Sequence, residues 1–120
     1  MATTATTNSF SYLFSTEWGA DEFFDLASSF HGVRLVLYPV WNGQKDYKKV
    51  LVYGTKSFLF DHQLKSNLDK EYNRILIKEN IYILRSRADK IKGNKKVAVF
   101  LRRRLLSESN RLENELYSNK

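Results

Sequence analysis

The sequence predicts an α+β fold, a single small domain with an antiparallel sheet of about four to six short strands and two or three helices. Three observations predict it. At 120 residues and 14.1 kDa, the chain has the length of one domain. A β-branched and aromatic run around an Asn42-Gly43 pair is typical of a β-hairpin. Apolar residues that recur every three or four positions elsewhere are typical of amphipathic helices.

The N-terminal region combines a polar segment with a first helix. Residues 1–9 are mostly Thr, Ala and Asn without periodicity, so we expect a flexible arm there and the folded domain over residues 10–120. Within residues 20–31, apolar side chains share one helical face and acidic side chains occupy the other. Gly32 follows at the position of a C-terminal cap. These features predict a helix.

The predicted hairpin joins residues 33–41 to residues 46–53 through Asn42 and Gly43. Both segments are rich in β-branched and aromatic residues, and an Asn-Gly pair tolerates the positive φ angles of a tight turn. Pro39 cannot donate a hydrogen bond to a neighbouring strand, which places the first strand of the hairpin at a sheet edge or a bulge.

The second half of the chain is predicted as alternating strands and helices. Leu64, Leu68 and Tyr72 recur every four residues, which favours a helix over residues 61–74 with Asp61 as its N-cap. The other predicted elements are a short strand over residues 56–60, strands over residues 75–77, 81–85 and 96–101, a turn at Lys92-Gly93-Asn94, and a terminal helix over residues 107–117 begun by Ser107.

Residues 95–117 allow a second interpretation. Their leucines and Val97 also fit a single helix that begins at about Lys95, on which the three consecutive arginines would fan over more than half the circumference. We favour a strand followed by a helix, because Val97, Val99 and Phe100 are good strand formers and Gly93-Asn94 suits a turn.

Basic residues concentrate in residues 85–106, which hold nine of the chain's 20 Lys and Arg residues and one acid, Asp89. Residues 1–60 carry five basic and five acidic side chains, whereas residues 61–120 carry fifteen and eight, so the formal charge of +7 lies in the second half. A concentrated positive surface attracts polyanions at long range. The alternative is that the charge serves solubility alone.

The charge pattern predicts a non-enzymatic nucleic-acid-binding surface, for RNA or DNA, that holds the phosphate backbone with low sequence specificity. Tyr82 and Phe100 in the predicted strands, and Trp41 in the hairpin, are candidates for stacking on bases; the alternative is burial in the core. The candidate phosphate-binding residues are Arg85, Arg87, Lys90, Lys92, Lys95, Lys96, Arg102, Arg103 and Arg104, with Lys48 and Lys49 as a smaller cluster after the hairpin turn.

A protein-interaction module is the rival hypothesis. Phe23 and Phe24 are adjacent in the first predicted helix and cannot both face one core, so one of them is a candidate contact for a protein partner or a homo-oligomer. The alternative is that flanking strands cover both rings. Such a module would act as an inhibitor or adaptor that docks on an acidic partner. The small size and the composition would suit a viral or phage accessory protein.

The sequence does not favour catalysis. It contains no cysteine, and its two histidines, His31 and His62, lie far apart. Asp46-Tyr47-Lys48 matches one part of a metal-dependent nuclease pattern, but residues 26–45 contain no acid to supply the other part. We therefore predict no catalytic residues, no metal site and no cofactor. No window approaches the ~20 apolar residues of a membrane span, and we expect a cytoplasmic protein, or one of the host cytoplasm or nucleus if it is viral.

Overall fold

The computed structural model describes residues 9–54 and 58–118, which form an α+β fold with three helices. Their contacts divide the chain into two compact units, a first unit that ends at Ile75 and a second unit that begins at Leu76. In chain order the elements are β1 (Ser9–Leu13), α1 (Glu17–Ser28), β2 (Val33–Leu37), β3 (Val40–Trp41), β4 (Gln44–Lys45), β5 (Lys49–Gly54), α2 (Phe58–Lys90) and α3 (Lys96–Ser118).

The sheet of the first unit has three antiparallel strands in the order β1-β5-β2. Tyr12 of β1 pairs with Val50 of β5, and Val36 of β2 pairs with Val52 of β5, so these side chains share the face that packs into the core. The predicted α+β class is confirmed, while the predicted strand count is slightly too high for this sheet. Strand β1 was not predicted, although the alternation of serine with Phe10 and Tyr12 has the period of a strand.

The predicted hairpin turn is confirmed. Asn42 and Gly43 adopt φ angles of 51° and 79°, and the short strands β3 and β4 pair on either side of them. Two consecutive positive φ angles match the right-handed twist of hairpin strands, which explains the preference for Asn-Gly at this position. Pro39 separates β2 from β3, and β2 lies at the sheet edge with a register irregularity between Val33 and Leu35, as Pro39 predicts.

Helix α1 confirms the first predicted helix and begins three residues earlier, at Glu17. Thr16 is its N-cap, because the Thr16 hydroxyl accepts a hydrogen bond of 2.9 Å from the backbone N–H of Gly19. Phe23 is fully buried, and its ring centroid lies 4.6 Å from that of Tyr12 and 5.3 Å from that of Phe14. This aromatic cluster is the core of the first unit.

The predicted strands over residues 75–77 and 81–85 are wrong, because α2 continues without interruption from Phe58 to Lys90. The predicted strand over residues 56–60 is also wrong from Phe58 onward, and residues 55–57 lie outside the described residues. Asp61 lies inside α2 and is not its N-cap. The predicted arm is tested only at Ser9, which belongs to β1, since residues 1–8 are likewise outside the described residues.

The predicted strand over residues 96–101 is wrong as well. The alternative interpretation is confirmed: α3 is one helix from Lys96 to Ser118, and Ser107 lies within it. The backbone N–H of Val99 donates to the carbonyl of Lys95 over 3.0 Å, which makes Lys95 the first residue of the helical hydrogen-bond pattern. The predicted turn at Lys92-Gly93-Asn94 is in the right place, since Gly93 adopts a φ of 104° between α2 and α3.

Candidate functional site

The whole net charge of the protein lies in its second unit. Up to Ile75 the sequence holds eight basic and eight acidic residues, and from Leu76 onward it holds twelve and five, so the formal +7 belongs entirely to the second unit. Uncompensated charge is therefore concentrated on about 45 residues, where it produces a stronger local potential than the same charge spread over the whole chain.

The connection between α2 and α3 carries the densest group of cations. Lys90 ends α2, Lys92 and Lys95 lie in the connection, and Lys96 begins α3. All four side chains are exposed, and we call them the lysine tip. Gly93 at its centre has a positive φ, which lets the chain reverse within the five residues that separate the two helices.

The helix termini strengthen the positive potential at this tip unequally. Arg87 and Lys90 occupy the last turn of α2, where the partial negative charge of the helix end compensates them. The first turn of α3 contains no acid, and Lys96 at its start and Lys95 just before it add to the partial positive charge of the helix end. The α3 side of the lysine tip is consequently an electrostatically unfavourable cluster in the free protein, which an anion would stabilise.

Arg85 and Arg102, both predicted to contact phosphates, make hydrogen bonds within the second unit. The Arg85 guanidinium lies 3.1 Å from the carboxylate of Glu113 and 3.4 Å from the hydroxyl of Ser109. The Arg102 guanidinium donates to the carbonyls of Ile91 and Gly93, over 3.0 and 3.1 Å. These contacts hold α3 against α2 and against the connection, and give both arginines a structural role.

Arg87, Arg103 and Arg104 are exposed residues of the helices that flank the lysine tip. Lys48 and Lys49 belong to the first unit, where the backbone N–H of Lys48 donates to the Asp46 carboxylate over 3.1 Å. The structure thus assembles the predicted cations of residues 87–104 within one unit, and places the smaller predicted cluster in the other.

The predicted sheet platform for bases is wrong, because Tyr82 and Phe100 lie on helices. Their side chains are nevertheless 54% and 60% exposed, and Trp41 of the first unit is 77% exposed, so none of the three rings belongs to the core. Phe100 lies one turn beyond Lys96 and one turn before Arg104, which places it on the same side of α3 as these cations.

Of the two adjacent phenylalanines of α1, Phe23 is buried in the core and Phe24 is not. Phe24 is half-buried, and its ring stacks on Tyr38 with centroids 5.0 Å apart and planes 4° apart. Much of the ring is therefore covered within the first unit.

A groove runs between α2 and α3 in the second unit. It consists of two cavities of about 490 and 470 Å³ that share Leu84 and Glu108. The first cavity is lined by Leu84, Ile91, Leu101, Arg104, Leu105 and Glu108, and the second by Asn80, Ile83, Leu84, Arg87, Glu108, Arg111 and Leu112. Its floor is apolar and its polar members are predominantly arginines. This groove was not predicted from the sequence, because the strands predicted over residues 81–85 and 96–101 would place its lining residues in a sheet.

Titratable groups in the first unit are engaged in packing. The hydroxyl of Tyr12 donates to the Asp69 carboxylate over 2.8 Å, and Lys65 lies 2.9 Å from the other oxygen of that carboxylate. Burial, followed by the hydrogen bond to Asp69, raises the pKa of Tyr12 well above the usual value for tyrosine. Within residues 9–54 and 58–118, no three His, Asp or Glu side chains are grouped as a metal site requires, and no helix is long and apolar enough to cross a bilayer.

Comparison with protein-family models, with curated proteins and with solved structures finds no match to this chain.

Proposed function

We propose that the protein is a non-enzymatic nucleic-acid-binding protein whose lysine tip holds the phosphate backbone with low sequence specificity. The observation that carries the proposal is the confinement of the whole +7 to the second unit, with four exposed lysines at one helix connection. Lysine is a point charge on a flexible stem, so a cluster of lysines suits phosphates in many geometries and reads no base.

Two further features support this assignment. The lysines at the start of α3 repel the helix end, and bound phosphate would relieve that repulsion. Phe100, exposed beside Lys96 on α3, offers a ring face to an unpaired base. Arg87, Arg103 and Arg104 extend the phosphate contacts beyond the tip, whereas Arg85 and Arg102 contribute to the fold.

The lysine tip can be tested by replacing Lys90, Lys92, Lys95 and Lys96 with glutamine and measuring fluorescence anisotropy against labelled single-stranded and duplex RNA and DNA. We expect at least a tenfold loss of affinity. We also expect the slope of log affinity against log salt to fall by about three to four for duplex DNA, since each phosphate contact contributes ~0.9.

The matched control removes four positive charges from the first unit, as R34Q/K65Q/K70Q/R74Q, and so leaves the net charge equal to that of the lysine-tip variant. Affinity within about threefold of wild type is expected for this control, because its cations belong to the electrically neutral unit. Equal losses in the two variants would refute a site at the lysine tip and leave only a net-charge effect. Absence of binding by the wild-type protein at low salt would refute nucleic-acid binding itself.

A further inference from the structure

The groove between α2 and α3 is a largely apolar surface, separate in chemistry from the lysine tip. One wall is built from Asn80, Leu84 and Arg87 of α2, which are spaced by four and three residues and so form one stripe of the helix, and from Ile91 in the connection just after α2. From Asn80 to Arg87 the stripe spans seven residue steps, or about 10 Å at 1.5 Å per residue, which is about two helical turns.

The opposite wall comes from α3, which runs antiparallel to α2 in the second unit. The direction follows from the contacts, because Arg85 meets Glu113 while Arg102 meets the carbonyl of Ile91. Leu101, Leu105 and Leu112 supply the apolar part of this wall. Two antiparallel helices with an apolar stripe along their seam present the surface that a third helix covers in a three-helix bundle.

The charges around the groove select the kind of helix that fits. Arg87, Arg104 and Arg111 line it, and Glu108 is the one acid among its lining residues. Glu108 is already engaged, because its carboxylate accepts a hydrogen bond of 3.1 Å from Nε of Arg111. This bond holds the pKa of Glu108 below its usual range, so the carboxylate stays charged and neutralises Arg111. Arg87 and Arg104 remain as the positive rim.

We propose that the groove binds an amphipathic α-helix of a partner protein, with apolar residues toward Leu84 and Leu101 and acidic residues toward Arg87 and Arg104. Recognition by i, i+3 or i+4, and i+7 anchors matches the length of the groove. A second copy of this chain fits worse, because it would bring a second unit with twelve basic and five acidic residues against an identical one.

The probe for this site is a fluorescein-labelled synthetic helix of about 18 residues, with leucines along one face and glutamates beside them, measured by anisotropy against the full chain. One control peptide contains the same residues in scrambled order, and a second has lysine in place of each glutamate. We expect saturable micromolar binding of the acidic helix, with at least tenfold weaker binding of both other peptides.

Leu101 and Leu106 form a matched pair for the protein side, because they are 43% and 41% exposed on the same helix and only Leu101 lines the groove. We expect L101E to weaken binding of the acidic helix at least tenfold and L106E to change it by less than threefold. R87E/R104E should lose the acidic helix and gain the lysine-substituted one. Circular dichroism on each variant confirms that α2 and α3 are intact.

Several outcomes would overturn the proposal. One is equal binding of the acidic and the scrambled peptides, which would mean capture of any polyanion. A second is equal damage by L101E and L106E. A third is a wild-type dimer in sedimentation that L101E abolishes, which would assign the groove to a second copy. The lysine-tip variant keeps Arg87 and Arg104, and we expect it to bind the acidic helix within about threefold of wild type, so the groove and the lysine tip are tested separately.

Discussion

Tyr12 links the sheet to α2 within the first unit through one hydroxyl. The ring is buried against Phe23 and Tyr72, and the hydroxyl donates a hydrogen bond to the Asp69 carboxylate. The same carboxylate forms an ion pair with Lys65. Because burial and the neighbouring carboxylate both disfavour the phenolate, the pKa of Tyr12 is higher in the folded protein than the value of about 10 expected for the unfolded chain. The folded state therefore holds the Tyr12 proton more tightly than the unfolded state does.

The sign of the pH dependence follows. The stabilisation by Tyr12 is constant below about pH 10 and is lost as the pH rises further, with a slope of about 1.4 kcal/mol per pH unit. In Y12F we expect a loss of about 1 kcal/mol at pH 8 from the missing hydrogen bond, and a shallower decline above pH 10. Urea unfolding of both proteins at pH 8 and pH 11 measures this. Tyr38, whose pKa is also raised, is present in both proteins, so its contribution to the pH dependence cancels in the comparison. Parallel pH curves would contradict the prediction.

Residue-scale reasoning from sequence succeeded where the physical requirement is local. The positive φ angles at Asn42 and Gly43 depend on immediate neighbours. The hydrogen bonds of Arg85 and Arg102 could not be predicted in this way, because their partners lie between nine and 28 residues away. A charge pattern alone cannot distinguish an arginine that binds carbonyls of its own chain from one that faces solvent.

At the scale of elements, α2 shows how two sequence signals compete. The spacing of Ile75, Ile77, Ile81 and Ile83 has the period of strands, yet no glycine or proline occurs between Gly54 and Gly93. With no residue to end it, the helix that begins at Phe58 continues to Lys90. Ile75 and Ile81 are buried and Ile77 and Ile83 are half-buried, so the isoleucines pack around the helix and do not alternate between two faces. The absence of breakers was the better predictor.

The junction of α2 with α3 gives a prediction at the same scale. R102A removes two hydrogen bonds to the carbonyls of Ile91 and Gly93, and we expect a loss of about 1–3 kcal/mol in the free energy of unfolding, since both bonds come from a charged donor. R103A changes an exposed neighbour on the same helix, and we expect less than about 0.5 kcal/mol. Urea denaturation followed by circular dichroism compares them. A triple alanine replacement of residues 102–104 would mix the two effects, and equal losses in the single variants would contradict a structural role for Arg102.

For the whole molecule, the sequence predicts the α+β class and the concentration of positive charge in the second half of the chain. The structure shows how this charge is divided between the two units. The sequence places the excess charge in the second half, and the unit boundary at Ile75 separates a neutral unit from one that carries all of +7. The groove between α2 and α3 was out of reach, because its walls come from two segments that the sequence analysis assigned partly to strands. The single domain expected over residues 10–120 stays a prediction.

The charge division predicts how the two units respond to salt. Like charges within the second unit repel one another at low ionic strength, whereas the first unit holds equal numbers of both signs. Raising the salt concentration shortens the range of this repulsion to about 10 Å at 0.1 M. We therefore expect added salt to stabilise the second unit and to leave the first unit nearly unchanged.

The positions of the two tryptophans make that difference visible. Trp18 and Trp41 are 37% and 77% exposed and both belong to the first unit, while the second unit contains none. Indole emission thus reports on the first unit alone, whereas far-UV circular dichroism reports on the helices of both units and includes α3 and the part of α2 from Leu76 onward. At low salt we expect the urea midpoint measured by dichroism to lie below the midpoint measured by emission, and we expect the difference to close as salt is added. Coincident curves at low salt would mean that the chain unfolds as one cooperative domain. The two tryptophans therefore act as a built-in fluorescent reporter of the first unit.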